Sequence, residues 1–300
     1  DTENSDQKDI NIIIEEKPTG EIMAGAGYGT DGSTLSVAIS ENNFKGEGIN
    51  LKTRLSLTEE TIKGFFEYTH PNFAYSDRAL STSLESSVTD KLTDFGYKSS
   101  LNKVSLGTRY EQFEDTFFSP ALSISSETLD TTSTASAAYK KQEGSYFDTT
   151  FDYALTYDKR NSAYQPSSGF YSSWYQQLPI ISENQTIING YRITGYKELI
   201  DDMILSSGIY SRAINSLTDD DVRVSKRLFA PTSRLRGFET GKVGPVDGGD
   251  FVGGNYVATI NTSTTLPYIM ESFQNTDLKL FFDIGNVWGC LLYTSDADDE

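Results

Sequence analysis

The sequence has very little from which to build a metal site, a disulfide framework or a basic binding face. Its 300 residues contain one histidine and one cysteine, and the formal net charge is −18 at pH 7. A zinc site takes three or four nitrogen or sulfur ligands, a disulfide framework needs paired cysteines, and a general nucleic-acid-binding protein needs a basic face. We therefore expect no metal, no cofactor and no nucleic-acid partner.

The sequence also lacks a long hydrophobic run. No stretch of apolar residues is long enough for a transmembrane helix, which needs about 18 or more. A transmembrane β-barrel stays possible, because its strands alternate lipid-facing and lumen-facing residues. The 18 tyrosines and 17 phenylalanines suit such surfaces. Since the chain starts at Asp1 with no methionine or signal peptide, we interpret it as part of a longer precursor.

Apolar residues alternate with polar ones along most of the chain. For example, Leu35, Val37 and Ile39 share one face, opposite serines and an alanine. A period of two predicts β-strands, and no segment has a convincing helical period. We count thirteen candidate strands, at residues 22–28, 33–40, 51–57, 61–69, 80–88, 104–110, 118–124, 147–157, 170–178, 187–199, 203–213, 256–260 and 278–284.

The lengths of the strands and of their connections favour a membrane barrel. Many candidate strands exceed the five or six residues that are usual in soluble sheets and approach the roughly 9–11 that cross a membrane. Connections after even strands are mostly short, as at 41–47, 111–115 and 201–202, whereas 128–145 and 214–253 are long. Short turns on one rim and long loops on the other are typical of outer-membrane barrels. A soluble β-sandwich is the alternative.

The glycines near the start of the barrel region fit a nucleotide-binding pattern only superficially. Gly27 to Gly32 read G-x-G-x-x-G, but an alternating strand follows where a dinucleotide loop needs a helix. Gly25, Gly27 and Gly29 fall on one face of the first strand, with Tyr28 between them. Glycine in a strand often marks a position that another backbone segment approaches closely. We therefore predict a smooth inner wall at the first strand.

Residues 214–253 and their surroundings carry family motifs. This long segment contains Arg236-Gly237-Phe238 and is followed by Gly253-Gly254-Asn255, and a later strand reads Phe282-Asp283-Ile284-Gly285. With the Glu16–Gly20 junction and the glycines after it, these motifs make residues 8–289 resemble the BamA family of outer-membrane assembly proteins. Arg236-Gly237-Phe238 matches the signature of the family's sixth extracellular loop.

The resemblance implies an all-β fold, a transmembrane antiparallel barrel that is incomplete here, with about 13 of about 16 strands. Residues 1–19 would be the end of the last POTRA domain and its junction. Residues 20–289 would form the barrel, with 214–253 as an extracellular loop that folds into the lumen. Residues 290–300 resemble a translated sequencing adapter, beginning Cys290-Leu291-Leu292-Tyr293, and we interpret them as an artefact.

The family's loop motif predicts one specific contact. Strand parity places Asp283 and Gly285 on the inward face of the last strand, and a buried arginine needs a carboxylate partner. We therefore predict that Arg236 points into the lumen and pairs with Asp283, and that Phe238 packs against the glycine-lined or aromatic inner wall. Family members often carry a second acidic residue near the position of Ser263, which is not acidic here.

The resemblance implies a non-enzymatic factor in the bacterial outer membrane that folds and inserts other outer-membrane proteins. An edge of the first strand, with Gly25, Gly27, Tyr28 and Gly29, would serve as template. Its partners would be unfolded clients, accessory assembly lipoproteins, outer-membrane lipid and lipopolysaccharide. The alternatives are a TamA-like translocation and assembly barrel, a two-partner secretion transporter, a passive porin and a barrel enzyme.

Overall fold

The alternating segments form strands that are longer than those of ordinary soluble sheets. A computed structural model describes residues 15, 17–29, 32–92, 96–133, 135, 137–239, 241–247, 250–266 and 278–289. Its strands are β1 (Gly20–Gly29), β2 (Gly32–Phe44), β3 (Ile49–Leu57), β4 (Thr61–His70), β5 (Ala79–Lys91), β6 (Tyr97–Phe113), β7 (Thr116–Thr131), β8 (Gly144–Asp158), β9 (Gly169–Ser182), β10 (Thr186–Ile200), β11 (Met203–Ser216), β12 (Val246–Asp247), β13 (Asp250–Phe251), β14 (Tyr256–Thr265) and β15 (Lys279–Trp288).

Thirteen of these strands form one antiparallel sheet. Each strand from β1 to β10 pairs with the next, β11 pairs with β14, and β14 pairs with β15. The short β12 and β13 pair only with each other. The prediction of an all-β fold with thirteen consecutively paired strands is confirmed. Within the described residues, β1 and β15 are the two ends of the sheet order.

Helical structure is limited to short turns in the described part of the chain. A four-residue α-helix covers Ala137–Lys140, and 3-10 turns cover Phe73–Tyr75 and Val224–Lys226. No helix among the described residues has the length and apolar character needed to cross a membrane.

One face of the sheet exposes its apolar side chains. The large hydrophobic side chains exposed on this face include Leu35, Val37, Leu55, Phe151, Leu278 and Ile284. Leu51 and Tyr153 are only partly exposed. Tyr153 is covered because the rings of Phe118, Phe151 and Trp174 surround it, with centroids 5.9 to 6.0 Å away. The arrangement excludes a two-sheet sandwich that buries these residues.

The opposite face, called the inner face below, carries the buried core. The chain between β11 and β14, residues 217–255, packs against it and is called the long loop. One cluster joins Val222 and Leu228 of the loop to strands β10, β11, β14 and β15, and another joins Val224 and Val252 to Tyr97 and Leu129 of β6 and β7. The long loop therefore supplies the residues that bury both parts of the inner face.

Several strand ends differ from the sequence prediction. β7 continues to Thr131 and β8 begins at Gly144, so the loop expected at 128–145 is shorter. The reason is burial, because Leu129 is fully buried and pairs with Gly144. In the same way β11 runs to Ser216, beyond the expected start of the loop at Ile214.

The expected alternation of short and long connections is only partly correct. The β10–β11 turn is Asp201 and Asp202, as expected, but the β8–β9 connection has residues 159–168. This longer connection is internally bonded. Arg160 donates to both carboxylate oxygens of Asp158, at 2.8 and 2.7 Å, and Asn161 donates to Ser167. Local hydrogen bonds thus maintain a loop that strand parity does not predict.

Two predicted segments lie outside the described residues. Most of the proposed junction, at residues 1–14 and 16, is not described, and neither are residues 290–300.

Candidate functional site

The inner face of β14 and β15 presents an acidic side chain to the long loop. Asp283 of β15 is the cross-strand neighbour of Asn261 on β14. The Asp283 side chain is only 1% exposed, so its charge needs partners within the protein. Asn261 supplies one, since its amide donates to the Asp283 carboxylate at 2.9 Å and also to the carbonyl of Arg234.

Arg236 of the long loop supplies the counter-charge. Its Nε and Nη2 each donate to one oxygen of Asp283 at 2.7 Å, and its backbone N–H donates to Oδ2 at 3.0 Å. A bidentate arginine–carboxylate pair fixes geometry as well as charge. The guanidinium carbon also lies 3.9 Å from the ring centroid of Phe281. These hydrogen bonds with Asp283 raise the pKa of Arg236 above its ordinary value.

The rest of the Arg-Gly-Phe motif behaves differently from expectation. Gly237 adopts a φ of 85°, which favours glycine and permits the turn after Arg236. Phe238 was expected to pack against the inner wall, but its side chain is 53% exposed. Phe281 is the ring that contacts the arginine instead. Phe281, which is already held in the sheet, supplies the cation–π contact to Arg236, so Phe238 is not required for it.

Gly253-Gly254-Asn255 returns the long loop to the sheet. Gly253 has a φ of 67°, and a Cβ on it would lie 2.9 Å from the Phe229 ring. A Cβ on Gly254 would collide with the carbonyl of Trp288. Asn255 donates its N–H to that carbonyl at 2.8 Å. Gly253 therefore allows close packing within the long loop, and Gly254 allows a close approach of backbone to β15.

The first-strand residues lie at the other end of the sheet order. Gly25 pairs with Ser36, Gly27 with Thr34 and Gly29 with Gly32. Tyr28 points to the opposite face and is 86% exposed. The glycines thus share one face, as their spacing indicates, but sheet order does not place them next to Arg236. Ser263 hydrogen bonds to Ser206 at 2.8 Å.

A second anchoring cluster was missed by sequence reasoning. Arg223 of the long loop is 1% exposed and donates to Glu127 of β7 at 3.0 Å and to Asp148 of β8. Its guanidinium carbon lies 4.3 Å from the Tyr146 ring centroid. Lys226 also reaches Asp148, at 2.9 Å. The signal available in the sequence was the parity of Glu127 and Asp148, two acidic residues on the inner face of adjacent strands.

The electrostatics of this cluster depend on burial. Burial, followed by the nearby charge of Arg223, lowers the pKa of Lys226, although Asp148 acts in the opposite direction. Ser99 donates to Glu127 at 2.7 Å and Ser182 to Asp148 at 2.5 Å. The carboxylates are thus fully engaged, as buried charges require. The long loop is held at one end by β7 and β8 and further along by β15.

No metal-binding arrangement accompanies these anchors in the described chain. Among the described residues, no group of three or more His, Cys, Asp or Glu side chains could hold a metal ion. His70, the only histidine, is the last residue of β4 and packs edge-on against Phe73. The chemistry that this inner face offers is ion pairing and hydrogen bonding.

Comparison with known proteins identifies the family. The model of the Omp85 superfamily domain matches residues 43–299. The chain belongs to the Omp85 superfamily. Among curated Omp85 relatives, the outer membrane protein assembly factor BamA of Nitratidesulfovibrio vulgaris is 22% identical over 306 aligned positions, covering 95% of this chain and 36% of that protein.

A human relative matches a smaller part. The sorting and assembly machinery component 50 homolog of Homo sapiens is 27% identical over 141 residues, covering 45% of this chain and 30% of that protein. The chain therefore spans about a third of the length of these curated relatives.

Solved structures share the fold of this Omp85 chain. BamA from Haemophilus ducreyi lacking POTRA domains 1–3 superposes with a TM-score of 0.79 at 20% identity, covering 92% of this chain and 59% of that one. CdiB from Acinetobacter baumannii gives a TM-score of 0.54 at 12% identity, covering 91% and 50%. At such identities the likeness concerns the fold, here the antiparallel barrel wall.

Proposed function

We propose that this chain is the barrel part of a bacterial outer-membrane factor that folds and inserts other outer-membrane proteins. The observation that carries the proposal is the Arg236–Asp283 pair, which holds the motif of the long loop against the inner face in a chain of the Omp85 superfamily. We assign the template role to the edge of β1 that faces away from β2. An unpaired strand edge can template another strand through backbone hydrogen bonds. The names of the curated relatives, an assembly factor and an assembly-machinery component, support the same role.

The proposal divides the chain by role. Residues 1–19 end a POTRA-type domain, residues 20–289 form the barrel with 214–253 as the loop that enters the lumen, and residues 290–300 are foreign. Gly25, Gly27, Tyr28 and Gly29 belong to the template edge, Arg236, Gly237 and Phe238 to the loop motif, and Gly253, Gly254 and Asn255 to its return. Asp283 and Gly285 belong to the part of the barrel wall that faces the loop motif.

The work is done without catalysis or a cofactor. Backbone hydrogen bonds are independent of side-chain identity, so clients of varied sequence are accepted. The partners are unfolded outer-membrane proteins, accessory assembly lipoproteins, and the lipid and lipopolysaccharide of the bacterial outer membrane. The Arg236–Asp283 pair, at 2.7 Å, holds the long loop against the wall while a client strand pairs with the distant edge.

Breaking that pair tests the proposed function. We expect Arg236→Ala to slow client folding and to expose the long loop to protease, and Asp283→Asn to act in the same direction less severely. Removing one partner of a buried pair costs about 3–5 kcal/mol, an upper bound here because the Arg236 side chain is 32% exposed. The measurement is the rate at which a purified client becomes folded in liposomes that contain the whole protein.

The same loop offers a matched control. Lys242 and Glu239 form an exposed pair at 2.6 Å, and exposed pairs contribute about 0–1 kcal/mol. Lys242→Ala should leave client folding unchanged. The double mutant of Arg236 and Asp283 should be less impaired than the sum of the singles. Strictly additive effects would mean that Arg236 and Asp283 do not act together in holding the long loop. Ion conductance without client folding would point to the porin alternative.

A further inference from the structure

A group of arginines on the inner face forms no ion pair with an acidic side chain among the described residues. Arg192 of β10 pairs across the sheet with Tyr210 of β11, and Gly190 pairs with Arg212. Arg192 and Arg212 are therefore diagonal neighbours on one face, within reach of long side chains. Arg234 of the long loop joins them, because its guanidinium carbon lies 5.9 Å from the Tyr210 ring centroid.

The two strand arginines line an open cavity. Its volume is about 350 Å³, and its walls include Ser173, Tyr175, Gly190, Arg192, Tyr210 and Arg212. Gly190 contributes space, since a Cβ there would lie 3.7 Å from its nearest neighbour, on Tyr175. Hydroxyl groups and guanidinium groups thus converge on a volume sufficient for a small polar ligand.

The arginines that line this cavity form no ion pair among the described residues. A carboxylate lies next to its wall, since the hydroxyl of Tyr175 donates to Asp152 at 3.4 Å, but Asp152 pairs with Lys103. Arg160, Arg223, Arg227 and Arg236 each have a carboxylate within 4.0 Å. Among the described residues, Arg192, Arg212 and Arg234 form no such ion pair. The Nε of Arg212 is buried without a hydrogen-bond partner. A buried donor without an acceptor is costly. The Nε atoms of Arg223 and Arg227 also have no partner, but those guanidinium groups have carboxylates through their other nitrogens, whereas Arg212 has none among the described residues.

We propose that the cavity between Arg192 and Arg212, with Arg234 beside it, binds a phosphate-type oxyanion. Guanidinium groups match phosphate oxygens in a bidentate manner, and three neighbouring cations suit a multiply charged group better than a single carboxylate. The tyrosine hydroxyls can add hydrogen bonds. Because the cavity is on the inner face, opposite the exposed apolar side chains, the ligand reaches it from the water-filled side. This site is independent of the proposed function.

Titration with inorganic pyrophosphate tests the site. The whole protein in nanodiscs of zwitterionic lipid should bind pyrophosphate saturably, with a Kd below about 1 mM that rises with salt. Arg192→Gln and Arg212→Gln should each raise the Kd about tenfold or more, the range for a lost charge-assisted hydrogen bond. Isothermal titration calorimetry measures the Kd, and circular dichroism verifies that each variant remains folded.

A matched arginine provides the control. Arg109 of β6 also stacks on a ring, with its guanidinium carbon 4.5 Å from the Phe117 centroid. Arg109→Gln removes the same charge elsewhere and should leave the Kd unchanged. If a glutamine variant does not fold, Arg212→Lys replaces it, keeping the charge and losing the bidentate geometry, and should still weaken binding.

A second arm separates the sources of the phosphate. In this arm the phosphate group is presented as the headgroup of phosphatidic acid in the nanodisc, and no pyrophosphate is added. Phosphorus NMR measures the binding of that headgroup. Binding in either arm that depends on Arg192 and Arg212 supports the site and shows which source it accepts. Absence of binding in both arms, or equal loss in Arg109→Gln, overturns the proposal.

Discussion

Arg223 and Arg236 each bring a guanidinium group from the long loop against carboxylates of the sheet. Arg223 has two acidic partners and almost no exposure, whereas Arg236 has one carboxylate and remains a third exposed. Removing a cation from between two buried acids leaves uncompensated charge. The Arg223 cluster should therefore contribute more to stability.

Arg223→Ala should destabilise the protein by about 3–5 kcal/mol, because Glu127 and Asp148 lose their shared partner. Lys226 still neutralises part of the charge of Asp148, so the lower end of that range is expected. The measurement is the urea concentration at the unfolding midpoint of the protein in detergent. Lys63→Ala breaks the more exposed Lys63–Glu85 pair and should cost less than about 1 kcal/mol. Equal midpoints for the two variants would contradict the anchoring role of Arg223.

The contact of Arg236 with Asp283 could be predicted because two independent signals agree. The motif marks the loop arginine, and strand parity places the acid on the inner face. Asn261 follows from the same parity once the β14–β15 register is known, but register is not readable from either strand alone. The Arg223 cluster joins residues 96 positions apart in one bond. Strand parity places Glu127 and Asp148 on the inner face, but nothing local in the sequence indicates that Arg223 is their partner.

At the scale of elements, the glycines of β1 and β15 differ in what surrounds them. A Cβ at Gly285 would lie 2.7 Å from both the carbonyl oxygen of Ala258 and Cγ2 of Thr259, on the neighbouring strand. A Cβ at Gly27 would meet nothing within 4 Å. Gly285 is therefore required by close packing of β14 on β15, whereas Gly27 leaves its side of β1 smooth.

Alanine substitution should separate these two glycines. Gly285→Ala must displace backbone of β14 and should destabilise the protein by about 1–3 kcal/mol. Gly27→Ala meets no obstacle and should be neutral or stabilising by less than about 1 kcal/mol. Thermal unfolding followed by circular dichroism compares the two. A lower Tm for Gly27→Ala than for Gly285→Ala would refute the packing argument.

The alternation of apolar and polar residues was sufficient to predict that the strands exist, but not to predict where they end. The exposed apolar face repeats every second residue, so each strand is visible in the sequence. At the ends of β7 and β11 the alternation gives way to residues buried under the long loop, such as Leu129 and Ile214. Their burial depends on contacts with the long loop, which is a tertiary effect outside any sequence window.

At the scale of the whole molecule, the edge of β1 that faces away from β2 has a definite hydrogen-bonding pattern. This edge, called the free edge below, is unpaired among the described residues. The N–H of Asn42 donates to the carbonyl of Thr19 at 3.1 Å, and this pair continues the β1–β2 register of Gly20 with Glu41. Hydrogen-bonded and non-hydrogen-bonded pairs alternate in an antiparallel ladder. Odd-numbered residues of β1 therefore bond to β2, and even-numbered residues direct N–H and C=O groups to the free edge.

This alternation along β1 allows two neighbouring proline substitutions to be compared. Ala24→Pro removes an N–H from the free edge and should leave the β1–β2 ladder intact, since proline is tolerated where the N–H faces outward. Gly25→Pro removes an N–H that bonds to β2 and should loosen β1 itself. If β1 is the template, Ala24→Pro should slow client folding severalfold while the unfolding midpoint stays near that of the unmodified protein, and Gly25→Pro should lower both. Client folding in liposomes and urea unfolding in detergent measure the two quantities. Client folding at the unmodified rate in Ala24→Pro, with a clear loss in Gly25→Pro, would mean that clients need an intact β1 but do not pair with its edge.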